Sequence, residues 1–161
     1  MRYRSRTDNK VRALSGIGKA ALLAGCTVAL TGMNVPPAGT VTVTITEMRS
    51  TQGVVRACMT TNREIFPRCR KDPASHRTVV TASENMTLTF TGVKPGNYAI
   101  ALLHDENDNG KADRVLGMMP KEGFGFSRDA KVQMAPPKFD DAVFEFDGSA
   151  AELTIRMRYM L

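Results

Sequence analysis

The sequence predicts an all-β protein, an antiparallel β-sandwich of immunoglobulin-like or transthyretin-like type with about seven to eight strands. Three observations carry this. Short runs alternate apolar and polar residues with period two, beginning with "TVTVTITE" at Thr40–Glu47. Turn residues separate these runs at sandwich-like spacing. Beyond residue 32, no segment sustains the 3.6-residue apolar period of an amphipathic helix.

The elements follow in order. In "TVTVTITE", Val and Ile occupy every second position, which places one face of a strand against a core. "GVVRACMTT", from Gly53 to Thr61, repeats the pattern after a Ser-Thr-Gln-Gly turn. "REIFPRCRKDPASH" contains Pro67 and Pro73 and has no clean period, so it reads as a loop with one helical turn. "RTVVTA" and "MTLTFTGV" are short strands split by Ser83-Glu84-Asn85. "KPGNYAIALLHD" opens on a Pro95-Gly96 turn and continues as a strand with Tyr98, Ile100, Leu102 and His104 on one face. "RVLGMM", "DAVFEF" and "AELTIRMRYM" complete the set, the last alternating Leu153, Ile155, Met157 and Tyr159 with polar residues.

With 161 residues the chain accommodates one domain of ordinary size. The formal charge of +6 is unevenly placed: six of the 22 basic residues and one of the 16 acidic ones precede residue 20, leaving 16 against 15 in the remainder. No basic stripe that could track phosphates remains, which excludes nucleic acid as a partner. The basic segment is instead followed by "AALLAGCTVALTG", an apolar run of secretory length and too short to span a bilayer. Residues 1–32 therefore read as a signal peptide or lipoprotein leader, 33–38 as a linker and 39–161 as the sandwich domain. "LAGC" is similar to a bacterial lipobox with Cys26 as the lipidated residue. Removal of Cys26 with the leader, or retention of the segment as a membrane anchor, fits as well. Each places the domain outside the cytoplasm, in the periplasm or attached to the envelope, with an envelope protein or glycan as the expected partner. Cys58 and Cys69 then meet oxidising conditions, and a disulfide between them is expected.

The chemistry-bearing stretch is "HDENDNGKAD", residues 104–113. Asn109-Gly110 is the favoured pair for a two-residue type I′ hairpin, a register that would set Glu106 opposite Asp113. The alternative is calcium. Asp105, Asn107, Asn109, Gly110 and Asp113 fit D-x-N-x-N-G-x-x-D, with the backbone carbonyl of Lys111 as a further ligand and His104 and Asp141 as supporting polar groups. Leu116 stands where an EF-hand loop has its bidentate Glu, so affinity would be weak, of order 10⁻⁴ to 10⁻³ M. No other cofactor is expected. A third reading makes His104 a general base of a small periplasmic hydrolase or carbohydrate-active enzyme, with Asp105, Asp113 or Asp141. Adjacent strand residues point to opposite faces, which separates His104 from Asp105, and no motif of a known hydrolase class occurs. The favoured reading is a non-enzymatic module with a binding or structural role and no catalytic residues.

In "KEGFGFS" the glycines let the backbone bend around Phe124 and Phe126, which either stack on a ligand ring or plug the sandwich end, while Lys121 and Glu122 are expected at the surface. "PPKFDDA" reads as Phe139 anchored in the core with Asp140 and Asp141 serving a turn. Taken together, "HDENDNGKAD" (His104, Asp105, Asn107, Asn109, Gly110, Asp113), "PKEGFGFS" (Pro120–Gly123, Gly125–Ser127) and "PPKFDDA" (Pro136, Pro137, Phe139, Asp141, Ala142) resemble the bacterial domain-of-unknown-function family 2141. The resemblance covers residues 39–161. It implies an exported β-sandwich module and leaves activity open.

Overall fold

In a computed structural model of the chain, residues 38–115, 119–133 and 135–161 are described. The leader, Cys26 and nearly all of the linker lie outside them. Ten strands form among the described residues: β1 (Gly39–Thr46), β2 (Val54–Thr60), β3 (His76–Thr81), β4 (Met86–Val93), β5 (Gly96–Asp105), β6 (Arg114–Val115), β7 (Met119–Pro120), β8 (Gly123–Phe126), β9 (Phe144–Phe146) and β10 (Ala150–Arg156). One helical turn, α1, spans Phe139–Ala142. The protein is all-β, as its alternating segments predict. The strands beyond the eight expected are β8, in the segment read as a bending loop, and β7, a two-residue partner of β6.

Two sheets enclose the core. One has the order β10-β1-β4 and the other β3-β2-β5-β8, with β9 also on β5. β8 pairs with Ala101–His104 and β9 with Gly96–Tyr98, so the two share one edge of the long β5. The pairing of β1 with β10 is parallel, from Thr40 opposite Ala150 to Thr46 opposite Arg156, which departs from a purely antiparallel expectation. Parallel partners need no sequence proximity, and these are the first and last strands described. Val41, Val43 and Ile45, with Ile155 beside Ile45 on β10, face Val55, Ala57, Met59, Ile100 and Leu102 in the main core, all buried. The period-two pattern is the cause, because a one-residue slip of β1 would turn threonines inward.

β5 departs from simple alternation and is buried on both faces over Tyr98–Leu102. On its outer face, the small residues Ala99 and Ala101 admit a second apolar cluster with Phe66, Phe126, Phe139 and Ala142. Phe66 meets Phe126 and Phe139 edge-on, with centroids 5.9 and 6.0 Å apart. The loop between β2 and β3, including a 3₁₀ turn at Cys69–Lys71, supplies Phe66. A disulfide joins Cys58 of β2 to Cys69, Cα to Cα 6.0 Å, and ties this loop to the sheet. No helix among the described residues is long and apolar enough to cross a membrane.

Candidate functional site

Residues 104–113 leave the end of β5, and period two decides where the first two side chains go. His104 is in phase with Ile100 and Leu102 and is fully buried at the end of the main core. Its Nε2 lies 2.9 Å from the Gln52 carbonyl and its Nδ1 2.7 Å from the Tyr159 hydroxyl. A carbonyl only accepts, so Nε2–H donates to Gln52 and Nδ1 accepts the Tyr159 O–H. Both ring nitrogens are thereby engaged. Tyr159 fits only because residue 123 is glycine: a Cβ there would fall 2.3 Å from the tyrosine ring.

Asp105 faces the other way and is also fully buried. Its carboxylate accepts from the Asn109 N–H (3.0 Å), the Gly110 N–H (2.7 Å) and Arg56 Nε on β2 (2.6 Å). Arg56 reaches Asp108 as well, at 2.5 Å. This wrapping replaces the type I′ hairpin. Positive φ falls on Asp108 (53°) and Gly110 (75°), and Asn109 is not among the positive-φ residues. The loop coils around the Asp105 carboxylate because three N–H donors converge there. Glu106 accordingly never opposes Asp113.

Glu106 is gripped from the loop between β1 and β2. Arg49 donates to both of its oxygens (3.1 and 2.5 Å) and Ser50 Oγ to one (2.8 Å). The same guanidinium donates to the carbonyls of Lys121 (2.9 Å) and Leu161 (2.6 Å) and lies 4.5 Å from the Tyr159 ring centroid. The Arg49 hydrogen bonds, with smaller help from Ser50, bring the Glu106 carboxyl down to about 2. Its favourable charge contribution is present above the unfolded carboxylate range, near 4.3, and is lost as pH falls toward 2. With Arg49 one-third exposed, solvent reduces this to about 2 kcal/mol. Between pH 5 and pH 2, wild type should lose about that much more stability than Glu106→Gln in urea titrations. Parallel losses in the two proteins would show that the clamp contributes nothing.

The remaining expected calcium ligands are gathered, but around one another. Asn107 Nδ2 and Asn109 Nδ2 both donate to Asp113 Oδ2, each at 2.9 Å, which lowers the Asp113 carboxyl. The Lys111 N–H donates to Asn109 Oδ1 at 2.7 Å. Among the described residues, no three His, Cys, Asp or Glu side chains are already gathered as a metal site.

Glu122 corrects the expectation of a surface residue, for it is only 3% exposed. The turn from β7 into β8 carries it beneath the loop, where Oε2 accepts the Asp113 N–H at 3.0 Å. Oε1 has no partner, the only such buried side-chain oxygen or nitrogen among the described residues. Burial pushes this carboxyl upward, helped by the charges of Asp105 and Asp113 and opposed by the backbone N–H groups of Asp113 and Glu106. No local pattern in "PKEGFG" marks the residue as buried, because its burial depends on a loop nine or more positions earlier.

Asp141 sits apart from His104. It accepts the Lys138 N–H at 3.0 Å at the start of α1, and α1 packs through Phe139 and Ala142 on the Ala99–Ala101 stretch of β5. Phe126 is buried in that second cluster, with Phe124 packed half-buried against it. Ser127 locks the region by accepting the Ile100 N–H (2.9 Å) and donating to the Ala142 carbonyl (2.5 Å). A surface groove of about 490 Å³ runs between Arg63–Arg68 and Pro136–Asp140 on this side.

A family described as an uncharacterized protein conserved in bacteria (DUF2141) matches residues 43–154. No curated protein matches. Among solved structures, a pilus-presented adhesin, Spy0125 (Cpa), is similar at a TM-score of 0.33 and 14% identity. That similarity covers 77% of this chain and 27% of the adhesin structure.

Proposed function

We propose that this chain, which belongs to the DUF2141 family of bacterial proteins, is an exported, non-enzymatic β-sandwich module of the cell envelope with a binding or structural role. The observation that carries this is the state of His104. A general base needs a nitrogen that can reach substrate. Here both nitrogens are spent on Tyr159 and Gln52, and the ring has no exposed surface. The nearby carboxylates are committed as well: Asp105 to Arg56 and two loop amides, Glu106 to Arg49, and Asp141 to the start of α1. The arrangement braces loop 104–113 against both sheets and holds one end of the sandwich rigid, as suits a surface presented to a partner. The disulfide supports an address outside the reducing cytoplasm.

The test is His104→Phe, which keeps ring volume while deleting both polar contacts. It should cost about 2 kcal/mol through the unsatisfied Gln52 carbonyl and the released Tyr159 hydroxyl, read by thermal melts. Wild type should turn over no chromogenic ester, glycoside or phosphate substrate. Turnover in wild type that disappears in a fully folded His104→Phe would establish a hydrolase instead.

A further inference from the structure

We propose that Glu122 supplies the carboxylate that loop 105–113 lacks, completing a weak calcium site with Asp113 and the side-chain oxygens of Asn107 and Asn109. The inference rests on reading this loop as a structural element. Three carboxylates, Asp105, Asp113 and Glu122, lie close enough to act on one another. Arg56 balances only Asp105 among them. Asp113 and Glu122 form no direct ion pair among the described residues, and Lys111 and Lys121 act on Asp113, and Arg49 on Glu122, only from farther off.

Glu122 then narrows the candidates. A buried carboxylate oxygen without a donor is costly and calls for a counter-group. Its other oxygen is tied to the Asp113 N–H, which keeps the carboxylate next to the loop backbone. Glu122 thus offers, from the turn before β8, the side chain that an EF-hand-type loop would place at position 116, occupied here by leucine. Asn107 and Asn109 already converge on Asp113 Oδ2, and turning either amide replaces an N–H with an oxygen at that point.

Two carboxylates, amide oxygens and water make an all-oxygen set of the kind calcium accepts in irregular geometry. Magnesium demands a near-ideal octahedron at shorter distances and suits the loop less well. Asp105 stays with Arg56 and shapes the loop from behind.

The experiment compares melts of the full-length, oxidised protein in 10 mM calcium, 10 mM magnesium and chelator, a concentration set at about ten times the weak dissociation constant expected of extracellular sites. Calcium should raise the wild-type midpoint by about 3 °C, with magnesium giving little. Glu122→Gln removes the orphan charge at constant shape, so it should melt no lower than wild type in chelator and show no calcium shift. Asp113→Asn should weaken the shift, and Asp108→Asn, an exposed residue outside the ligand set, should retain it. Calorimetric titration of the same proteins reads binding directly should a variant melt poorly. No calcium response in wild type, or one that survives Glu122→Gln, overturns the site. Either result leaves the non-enzymatic reading standing, since that reading fails only on turnover.

Discussion

Replacing Arg56 with methionine should destabilise the protein by about 3 kcal/mol, the low end of what breaking a buried ion pair costs. Methionine keeps the apolar stem over the sheet and removes only the guanidinium, so the loss reports charge and hydrogen bonding. What remains is Asp105, wholly buried, with its carboxylate served by the N–H groups of Asn109 and Gly110 alone. Those two donors hold the cost at the low end. Asp105→Asn in the Arg56→Met background should recover about half of the loss, because a neutral amide removes the uncompensated charge. Urea titrations of the four proteins in this cycle measure the coupling. A single-variant loss under 1 kcal/mol would mean that the loop amides alone hold Asp105. Exchange of the Asn109 and Gly110 amides should accelerate in Arg56→Met, since the carboxylate they cap becomes free to seek water.

That pair also shows which parts of the site could be read from sequence. Asn107 and Asn109 converge on Asp113, as alternate side chains of a D-x-N-x-N-G stretch can whatever they then bind, while Asp105 turns to Arg56 and the loop amides. The inward facing of His104, in phase with Ile100 and Leu102, was legible, but the full burial of its ring was not. The partners that fix the loop were not legible. Arg56 is 49 residues from Asp105 and Arg49 is 57 from Glu106, and no local period encodes such distances. Glu122 was hidden for the same reason, with a polar residue between Lys121 and Gly123 reading as surface until a distant loop covers it.

The fold divides likewise. Strands follow from alternation, but the parallel pairing of β1 with β10 depends on which first and last edges meet. The second core depends on Ala99 and Ala101 being small. These stretches also interlock in space: Ser127 of "PKEGFGFS" bonds both Ile100 of β5 and Ala142 of "PPKFDDA", and Glu122 bonds Asp113 of "HDENDNGKAD". Their joint occurrence in one sequence therefore has a structural reason, a shared framework around β5 and β8, that requires no active site.

Removing the disulfide tests that framework from its other side, and Cys58→Ala/Cys69→Ala should cost about 3 kcal/mol. The bridge closes a loop of sequence separation 11, for which restriction of the unfolded chain alone gives a value near that figure. Position argues the same way. Cys69 is 1% exposed, and the segment it pins carries Phe66 into the cluster with Phe126 and Phe139. Without the bridge, that cluster must hold the segment by apolar contact, helped by Thr60 Oγ1 donating to the buried Asp72 at 2.5 Å. The main core lies on the opposite face of β2 and β5, so the variant should still fold, with amide exchange accelerated over residues 61–75 and little changed in β1 and β4. Phe66→Ala with the bridge intact should lose about 3 kcal/mol by cavity formation while leaving those amides protected. Equal exchange in the two variants would show that Phe66, and not the disulfide, holds the segment. A reducing agent should reproduce the double variant in wild type and do nothing to the double variant itself, which separates a lost covalent tie from altered packing at positions 58 and 69.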